Sequence, residues 1–288
     1  MFVINGVNGQ TGSAAANTLL ERGLPVRVVV RDAAKGKTWE ERGAQVVEGD
    51  LKDAASLAKA FEGATGVYVL NPPAYRDSDP MGAAEQIGRS LLEALGNASV
   101  RHVVLLSSVG AHKTGGLGMI QTNRIVEQAL AGLLVPLTIV RASFFMDNWA
   151  QSLPVVKEKG ILPSFSLPLD ASRPLVSSQD IGRAVADELA AGGNGRKVIE
   201  LQGPRDYSAL DAAAAFSQVL GKPIPAVPVS EDQWPAVIKG FGFSPQVAEA
   251  YAEMLRNNNA GHFVPEDSAT IRHGSVTLEQ AVASWLLR

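Results

Sequence analysis

Phe2-Val-Ile-Asn-Gly-Val-Asn-Gly-Gln-Thr-Gly12 is the stretch that decides the fold. Its first three residues are apolar and predict a short buried strand. Glycines stand at Gly6, Gly9 and Gly12, and an alanine-rich run that favours helix begins directly after them. The next apolar run, residues 25–30, predicts a second strand. Strand, glycine turn, helix and strand therefore follow one another in the order of a βαβ unit.

The three glycines have different roles in the predicted turn. Gly6 allows the positive φ of a tight turn, and Gly9 lets main-chain N–H groups approach a pyrophosphate without an intervening Cβ. The following helix directs its unpaired N–H groups and the positive end of its dipole at the same place. The spacing is Gly-x-x-Gly-x-x-Gly, not Gly-x-Gly-x-x-Gly, so the strand-helix-strand context carries the interpretation. We predict a dinucleotide site, with a simple tight turn as the alternative, formed by Gly6, Asn8, Gly9, Gln10, Thr11 and Gly12.

The composition indicates a large core and no unusual charge. The chain has 288 residues, 46% of them hydrophobic, and a formal net charge of -3, which gives no general attraction to nucleic acid or membrane surfaces. It has no cysteine, and its four histidines have no metal-ligand spacing, so we predict no metal site. No apolar run is long enough to span a membrane, and a strand at residue 2 leaves no room for a signal peptide. We expect small-molecule chemistry in the cytoplasm.

Basic residues follow the second strand, where an NAD-binding protein has an acid. An acid there binds the adenosine ribose hydroxyls, whereas an arginine suits a 2′-phosphate. Arg31 and Lys35 occupy this position, which predicts NADP(H) with NAD(H) as the alternative, unless both are ordinary solvated charges. Beyond the third strand, residues 44–48, we expect Asp50 and Leu51 beside the adenine. Asp50 could instead cap the next helix.

The fourth strand, residues 66–70, is apolar throughout and ends abruptly at two prolines. Asn71 and Pro72 are predicted to lie near the cofactor ribose, with a simple strand stop as the alternative. Further helices and strands are predicted at 80–97, 101–106, 117–131 and 137–140. This alternation predicts an α/β fold: a Rossmann-type doubly wound parallel sheet with helices on both faces.

Prolines become frequent after residue 153, and the strand-helix alternation weakens. We predict a dinucleotide-binding domain over 1–153 and a smaller mixed α/β subdomain over 154–288, with the segment 176–201 packing back on the first domain. Ser208, Ser244 and Thr277 are expected to cap helices. The subdomain suits a lid, whose pocket is expected to include Trp234, Phe241 and Phe243 unless these aromatics only form its core. A polar loop is expected at 257–263.

These residues resemble the NmrA-like branch of the atypical short-chain dehydrogenase/reductases. The matching motifs are Val3-Ile-Asn-Gly-Val-Asn-Gly-Gln-Thr-Gly12, Arg31 with Lys35, Glu48-Gly-Asp-Leu51, Ser107-Ser108, Ser178-Gln-Asp-Ile181 and Leu201-Gln-Gly-Pro204. Within the family the likeness is to NADPH-dependent quinone oxidoreductases and triphenylmethane reductases. The resemblance implies an oxidoreductase that transfers hydride from NADPH to a quinone or similar planar acceptor. Ser107 is then expected at the cofactor and His112 at the substrate.

The wider superfamily uses a Tyr-x-x-x-Lys pair as its acid/base, and by resemblance Met119 and Asn123 occupy those positions here. Reduction of a simple ketone gives an alkoxide whose conjugate acid has a pKa near that of water, about 15.7. Reduction of a quinone gives a phenolate-like anion with a pKa of about 10, and the difference corresponds to roughly 8 kcal/mol. We therefore expect a quinone or a cationic dye as acceptor and no single catalytic side chain.

The segment after the sixth strand lies at the carboxyl edge where open sheets bind ligands. Phe144, Phe145 and Trp149 are expected to stack on a flat acceptor and Asn148 to orient a carbonyl, with burial in the core as the alternative for the aromatics. A second hypothesis is a non-catalytic NADP(H)-sensing regulatory protein of the NmrA-like type. An epimerase is less favoured because its chemistry needs the missing acid/base. The sequence leaves monomer and homodimer open.

Overall fold

The computed structural model describes residues 1–287. Its first half consists of β1 (Phe2–Ile4), α1 (Gln10–Glu21), β2 (Val26–Val30), α2 (Lys37–Glu41), β3 (Gln45–Glu48), α3 (Ala54–Phe61), β4 (Gly66–Leu70), α4 (Pro80–Asn97), β5 (His102–Ser108), α5 (Ile120–Ala129) and β6 (Leu137–Ala142). Its second half consists of β7 (Phe144–Phe145), α6 (Leu153–Lys159), β8 (Leu162–Ser164), β9 (Arg173–Val176), α7 (Ser178–Ala191), β10 (Arg196–Gln202), β11 (Asp206–Tyr207), α8 (Ala209–Leu220), β12 (Ala226–Pro228), α9 (Trp234–Gly240), α10 (Pro245–Asn259), β13 (Thr270–His273) and α11 (Leu278–Leu286).

Eight parallel strands form the central sheet in the order β13-β10-β6-β5-β4-β1-β2-β3. The strand β1 lies between β2 and β4, with Phe2 opposite Val26 on one side and opposite Gly66 on the other. The strand order therefore reverses beside β1, and open α/β sheets bind ligands at the carboxyl edge of such a reversal. The predicted doubly wound parallel sheet is confirmed.

Helices cover both faces of this sheet and enclose two apolar cores. One core lies under α1 and α7, and the other lies under α3, α4 and α5. A Cβ on Gly182 of α7 would lie 2.3 Å from the Cβ of Ala14, so α1 and α7 pack at a distance that only glycine allows. The unbroken apolar strands predicted from the sequence are thus buried on both faces, as parallel strands require.

The second half of the chain returns to the central sheet twice. The segment 176–201 supplies α7, which packs on α1, and most of β10, which pairs with β6. The strand β13 then adds an edge beside β10, where the sequence showed no strand signal. The chain beyond residue 153 thus builds part of the large sheet. A domain boundary at this residue stays a prediction.

The rest of the second half forms a smaller mixed unit. The strands β7, β9 and β11 make one small sheet, and β8 pairs with β12. The predicted caps are confirmed, because Ser208, Ser244 and Thr277 each accept a hydrogen bond from the backbone N–H three residues later. The predicted loop at 257–263 begins later, since α10 continues to Asn259. No helix within residues 1–287 is long and apolar enough to cross a membrane.

Candidate active site

A cavity of about 660 Å³ opens at the carboxyl edge of the sheet, beside the reversal of strand order. Its volume lies in the range of small-molecule and cofactor sites, about 300 to 1,000 Å³. The cavity is lined by the glycine turn, the ends of β4 and β5, the start of α5, the segment after β6, and α10. From the predicted site it brings together Gly6, Gly9, Gln10, Thr11, Asn71, Ser107, Phe144, Phe145 and Asn148.

The glycine turn has the geometry expected from its sequence. Gly6 has a φ of +65°, and its carbonyl oxygen accepts a hydrogen bond from the N–H of Gly9 at 2.9 Å. A Cβ on Gly12 would lie 2.3 Å from that same oxygen. Gly12 therefore does not line the cavity; it lets α1 start directly against the turn.

The amino-terminal end of α1 is open toward the cavity. Gly9 caps the helix without a side chain, and the first turn contains no acidic residue. The N–H of Ser13 makes the first helical bond, to the Gly9 carbonyl, and within residues 1–287 the N–H groups of Gln10, Thr11 and Gly12 have no acceptor. The Thr11 hydroxyl is 2.9 Å from the buried Tyr68 hydroxyl and anchors this end of α1 to β4. Unpaired amides at a helix amino terminus form a site for a phosphate.

Basic side chains lie at the far end of the same edge, beyond β2. Arg31 and Lys35 are exposed, and within the described chain neither side chain has a hydrogen-bond or ion-pair partner. The side chain of Asn8 already has one partner, because its Oδ1 accepts a hydrogen bond from the Nε1 of Trp39 at 3.2 Å. The two free cations thus remain available to an anionic group beyond the glycine turn.

The third strand ends in a turn whose side chains mostly contact residues close to them in sequence. Asp50 is exposed and accepts a hydrogen bond from the Lys52 N–H at 2.9 Å. Asp53, not Asp50, caps α3, so the capping alternative for Asp50 is wrong. Leu51 is half-buried and packs against the core under α3 and α4. The adenine role of Asp50 and Leu51 stays a prediction.

Pro72 and His112 lie outside the lining of the cavity. Asn71 and Pro73 face it but Pro72 does not, because successive residues of an extended chain point to opposite sides. His112 also lies outside its lining; the Nδ1 of its ring is buried without a partner, and burial lowers the pKa of the ring so that it stays neutral at pH 7. The roles of Pro72 at the cofactor and of His112 at the substrate stay predictions.

Ser107 is the penultimate residue of β5 and lines the cavity. The residue is 5% exposed, and its Oγ has no hydrogen-bond partner within the described residues. A buried hydroxyl without a partner is unfavourable by about 1 to 3 kcal/mol. A polar ligand group bound in the cavity would remove this cost, which fits a cofactor contact.

Aromatic side chains form another part of the cavity wall. Phe144 and Phe145 form β7, which pairs in parallel with β9. Trp149 faces a smaller adjoining pocket of about 110 Å³ that shares Phe144, Phe145 and Asn148 with the cavity. Phe144 and Phe145 also pack against the cores, and their stacking on an acceptor stays a prediction.

The predicted lid aromatics divide between pocket and core. Phe241 and Phe243 line the smaller pocket. Trp234 is fully buried, and its Nε1 donates to the Val229 carbonyl at 2.9 Å. The expectation that Trp234 lines the pocket is wrong, because α9 directs this side chain into its own small core.

The helix α10 covers the cavity and is tied to the loop after β4. Phe243 stacks on Tyr75 with ring centroids 4.3 Å apart. Ser244 donates from its N–H to the Tyr75 carbonyl at 2.9 Å and from its hydroxyl to the Asp77 carbonyl at 2.7 Å. Tyr75 and Tyr251 line the cavity, and no sequence motif marks either residue.

The cavity contains no free acid/base pair among its described lining residues. Met119 and Asn123 line it at the positions expected for the superfamily tyrosine and lysine. Burial raises the pKa values of Tyr75 and Tyr251, so both hydroxyls stay protonated. The carboxylate of Asp147, the one charged lining group, accepts hydrogen bonds from the N–H and the hydroxyl of Ser178 at 2.8 and 2.9 Å. The cavity is suited to binding and orienting ligands more than to moving protons.

A buried charge cluster supports the α5 side of the cavity. Arg141 donates to both carboxylate oxygens of Glu127 at 2.9 and 2.7 Å and to Glu266 at 2.6 Å, and its Nη1 lies 3.6 Å from Glu200. These contacts hold α5 against β6. Burial raises the pKa of Glu200 to about 7, although the cation opposes this shift. No group of three potential ligands within residues 1–287 could hold a metal ion.

Proteins of known activity resemble this chain over nearly its whole length. An NAD(P)H azoreductase from Xenophilus azovorans is 28% identical over 255 residues, covering 88% of this chain and 86% of the relative. Quinone oxidoreductase 2 from Escherichia coli is 24% identical and covers 98% of each chain.

Solved structures show the same fold. The NADPH complex of an NADPH-dependent quinone oxidoreductase from Escherichia coli superposes with a TM-score of 0.80 at 23% identity, covering 100% of both chains. A Citrobacter sp. triphenylmethane reductase complexed with NADP(H) gives a TM-score of 0.78 at 19% identity, covering 99% of each. The NmrA-like family model matches residues 1–284, and the chain therefore belongs to the NmrA-like family.

Proposed function

We propose that the protein is an NADP(H)-binding oxidoreductase that transfers hydride from NADPH to a quinone or a similar planar acceptor. The observation that carries the proposal is one cavity that is lined both by open helix amides and by aromatic side chains and that has no free acid/base pair among its described residues. Relatives named NAD(P)H azoreductase and quinone oxidoreductase 2 support it.

The residues present fit a dinucleotide in three respects. The unpaired amides of Gln10 and Thr11 suit a pyrophosphate, and the partnerless Ser107 hydroxyl suits a polar group farther along the edge. Arg31 and Lys35 suit a 2′-phosphate, which favours NADP(H) over NAD(H). When bound, the nicotinamide would supply the hydride. The other residues predicted at the cofactor are Gly6, Asn8, Gly9, Asp50, Leu51, Asn71 and Pro72, and Gly12 contributes by letting α1 start directly against the glycine turn.

The lining residues would act on the acceptor by position. Phe144 and Phe145 offer flat surfaces for stacking, and the Asn148 amide can donate a hydrogen bond to a carbonyl oxygen. α10 and its aromatic contacts keep water from the bound ring. Since a reduced quinone is a phenolate of pKa about 10, it can leave the site without a proton from the protein. Proximity and orientation would provide the catalysis.

The same cavity would also fit a regulatory protein that binds NADP(H) without turnover. The lack of a free acid/base group is compatible with this sensor as well as with the oxidoreductase. Adding a panel of quinones and azo dyes to the NADPH-loaded protein separates the two. Loss of NADPH absorbance above the protein-free rate supports the oxidoreductase. Tight NADPH binding with no loss for any acceptor would support the sensor. A cytoplasmic location, and a monomer or homodimer, remain part of the proposal.

A further inference from the structure

The smaller pocket that adjoins the cavity contains a single charged side chain, Arg173. The pocket shares Phe144, Asn148 and Tyr251 with the cavity, so the two spaces lie side by side. Its remaining walls are mostly aromatic or aliphatic, and none of its described lining residues is acidic. A cation in such surroundings attracts a group of opposite charge.

The hydrogen bonds of Arg173 leave its charge uncompensated. Its Nη2 donates to the carbonyls of Leu167 and Asn259 at 2.8 and 2.7 Å, its Nε to the carbonyl of Asn258 at 3.1 Å, and its Nη1 to the carbonyl of Ala171 at 3.3 Å. All four acceptors are neutral, and within residues 1–287 no carboxylate lies at ion-pair distance. The carbonyls at the end of α10 contribute about half a negative charge. A net positive charge and one N–H of Nη1 therefore remain for a ligand.

The backbone of β9 brings Arg173 close to the aromatic wall. Arg173 and Leu175 are two residues apart on β9 and line the same pocket, and Leu175 pairs with Phe144. The Cα atoms of Arg173 and Leu175 are therefore roughly 7 Å apart. A fused two-ring compound with a substituent spans a comparable length. A flat acceptor stacked at Phe144 would thus present such a substituent to the guanidinium.

We propose that the acceptor is a planar aromatic compound carrying a sulfonate or carboxylate group, which Arg173 binds. This inference rests on the proposed oxidoreductase function and specifies the substrate class for the same site. The fixed positive charge also disfavours cationic dyes, one of the two acceptor classes expected from the sequence. Arg173 acts as a specificity residue, because it holds the acceptor and takes no part in hydride transfer.

Turnover of two matched acceptors tests the inference. The kcat/KM of a naphthoquinone and of the same naphthoquinone bearing a sulfonate is measured for the wild type, Arg173→Gln and Arg173→Lys. Comparing each variant with the wild type cancels the difference in reduction potential between the acceptors. Arg173→Gln should lower kcat/KM for the sulfonate by about tenfold to a hundredfold, the effect of a hydrogen bond to a charged group, and Arg173→Lys should lower it less. Equal losses for both acceptors would show a purely structural role and overturn the inference.

Binding measurements separate failure of the inference from failure of the proposed function. Naphthalene sulfonate and uncharged naphthol are titrated into the NADPH-loaded wild type, with no turnover required. The sulfonate should bind at least tenfold more tightly and lose this advantage in Arg173→Gln, but not in Arg89→Gln, which changes an exposed arginine of α4. Equal wild-type affinities would overturn the inference even if Arg173→Gln fails to fold. If no acceptor causes NADPH oxidation, that result would instead contradict the proposed oxidoreductase function.

Discussion

Replacing Gly9 with alanine is expected to weaken NADPH binding while leaving the fold intact. The new Cβ would meet only the Gly6 carbonyl oxygen, at 3.3 Å, a contact relieved by a shift of a few tenths of an ångström. The φ of -96° and ψ of 175° at Gly9 suit alanine. The methyl group would project into the cavity beside the open amides of Gln10 and Thr11. Loss of one hydrogen bond from these amides to a charged phosphate corresponds to about tenfold to a hundredfold in Kd.

The assay is calorimetric titration of NADPH into wild type and Gly9→Ala, with thermal unfolding of both. Gly96→Ala is the matched control, because a Cβ on this α4 glycine has no atom within 4 Å. It should leave Kd unchanged and stabilise the helix by about 0.5 to 1 kcal/mol. Wild-type affinity in a fully folded Gly9→Ala protein would refute the placement of the pyrophosphate at these amides.

Three further predictions concern individual side chains. Arg31→Ala should raise the Kd for NADPH by about tenfold or more and leave the Kd for NADH within twofold, since only NADPH carries the 2′-phosphate. Equal changes in the two Kd values, measured by titration, would contradict the predicted preference for NADPH. Ser107→Ala should raise Tm, because it removes a buried hydroxyl without a partner, and should weaken NADPH binding; a lower Tm would show that the hydroxyl has a structural partner. Burial raises the pKa of Glu200 from 4.5 to about 7, so between these pH values the folded protein keeps a proton that the unfolded chain releases. The free energy of unfolding should therefore fall by roughly 3 kcal/mol as pH rises from 4.5 to 7. Glu200→Gln should reduce the dependence of the free energy of unfolding on pH, measured by urea titrations. An unchanged pH dependence in this variant would show that other groups cause it.

The sequence predicts the first half of the fold well because its signals are local. Gly6, Gly9 and Gly12 sit at fixed spacing between a strand and a helix, and each meets a separate steric need of the turn. The apolar strands reveal burial on both faces. The caps at Ser208 and Thr277 are also local, since each involves residues three apart.

The parts that the sequence does not predict depend on contacts between distant segments. Tyr75 and Tyr251 reach the cavity because a loop and a helix 176 residues apart in sequence close over it. Trp234 resembles any lid aromatic in sequence, but the packing of α9 buries it. Arg173 lies in a proline-rich stretch without a motif, and its unpaired charge appears only once its neutral carbonyl partners are placed around it.

The most direct test of hydride transfer from NADPH to a planar acceptor is a single-turnover experiment with NADPH deuterated at the transferred position of C4. NADPH-loaded protein is mixed with a sulfonated naphthoquinone, and both coenzyme absorbance and hydroquinone formation are followed. We predict one hydroquinone for each NADPH consumed, a primary deuterium isotope effect on that step, and no reduction of a simple ketone. Unchanged NADPH in a protein that binds both compounds would contradict the proposed function.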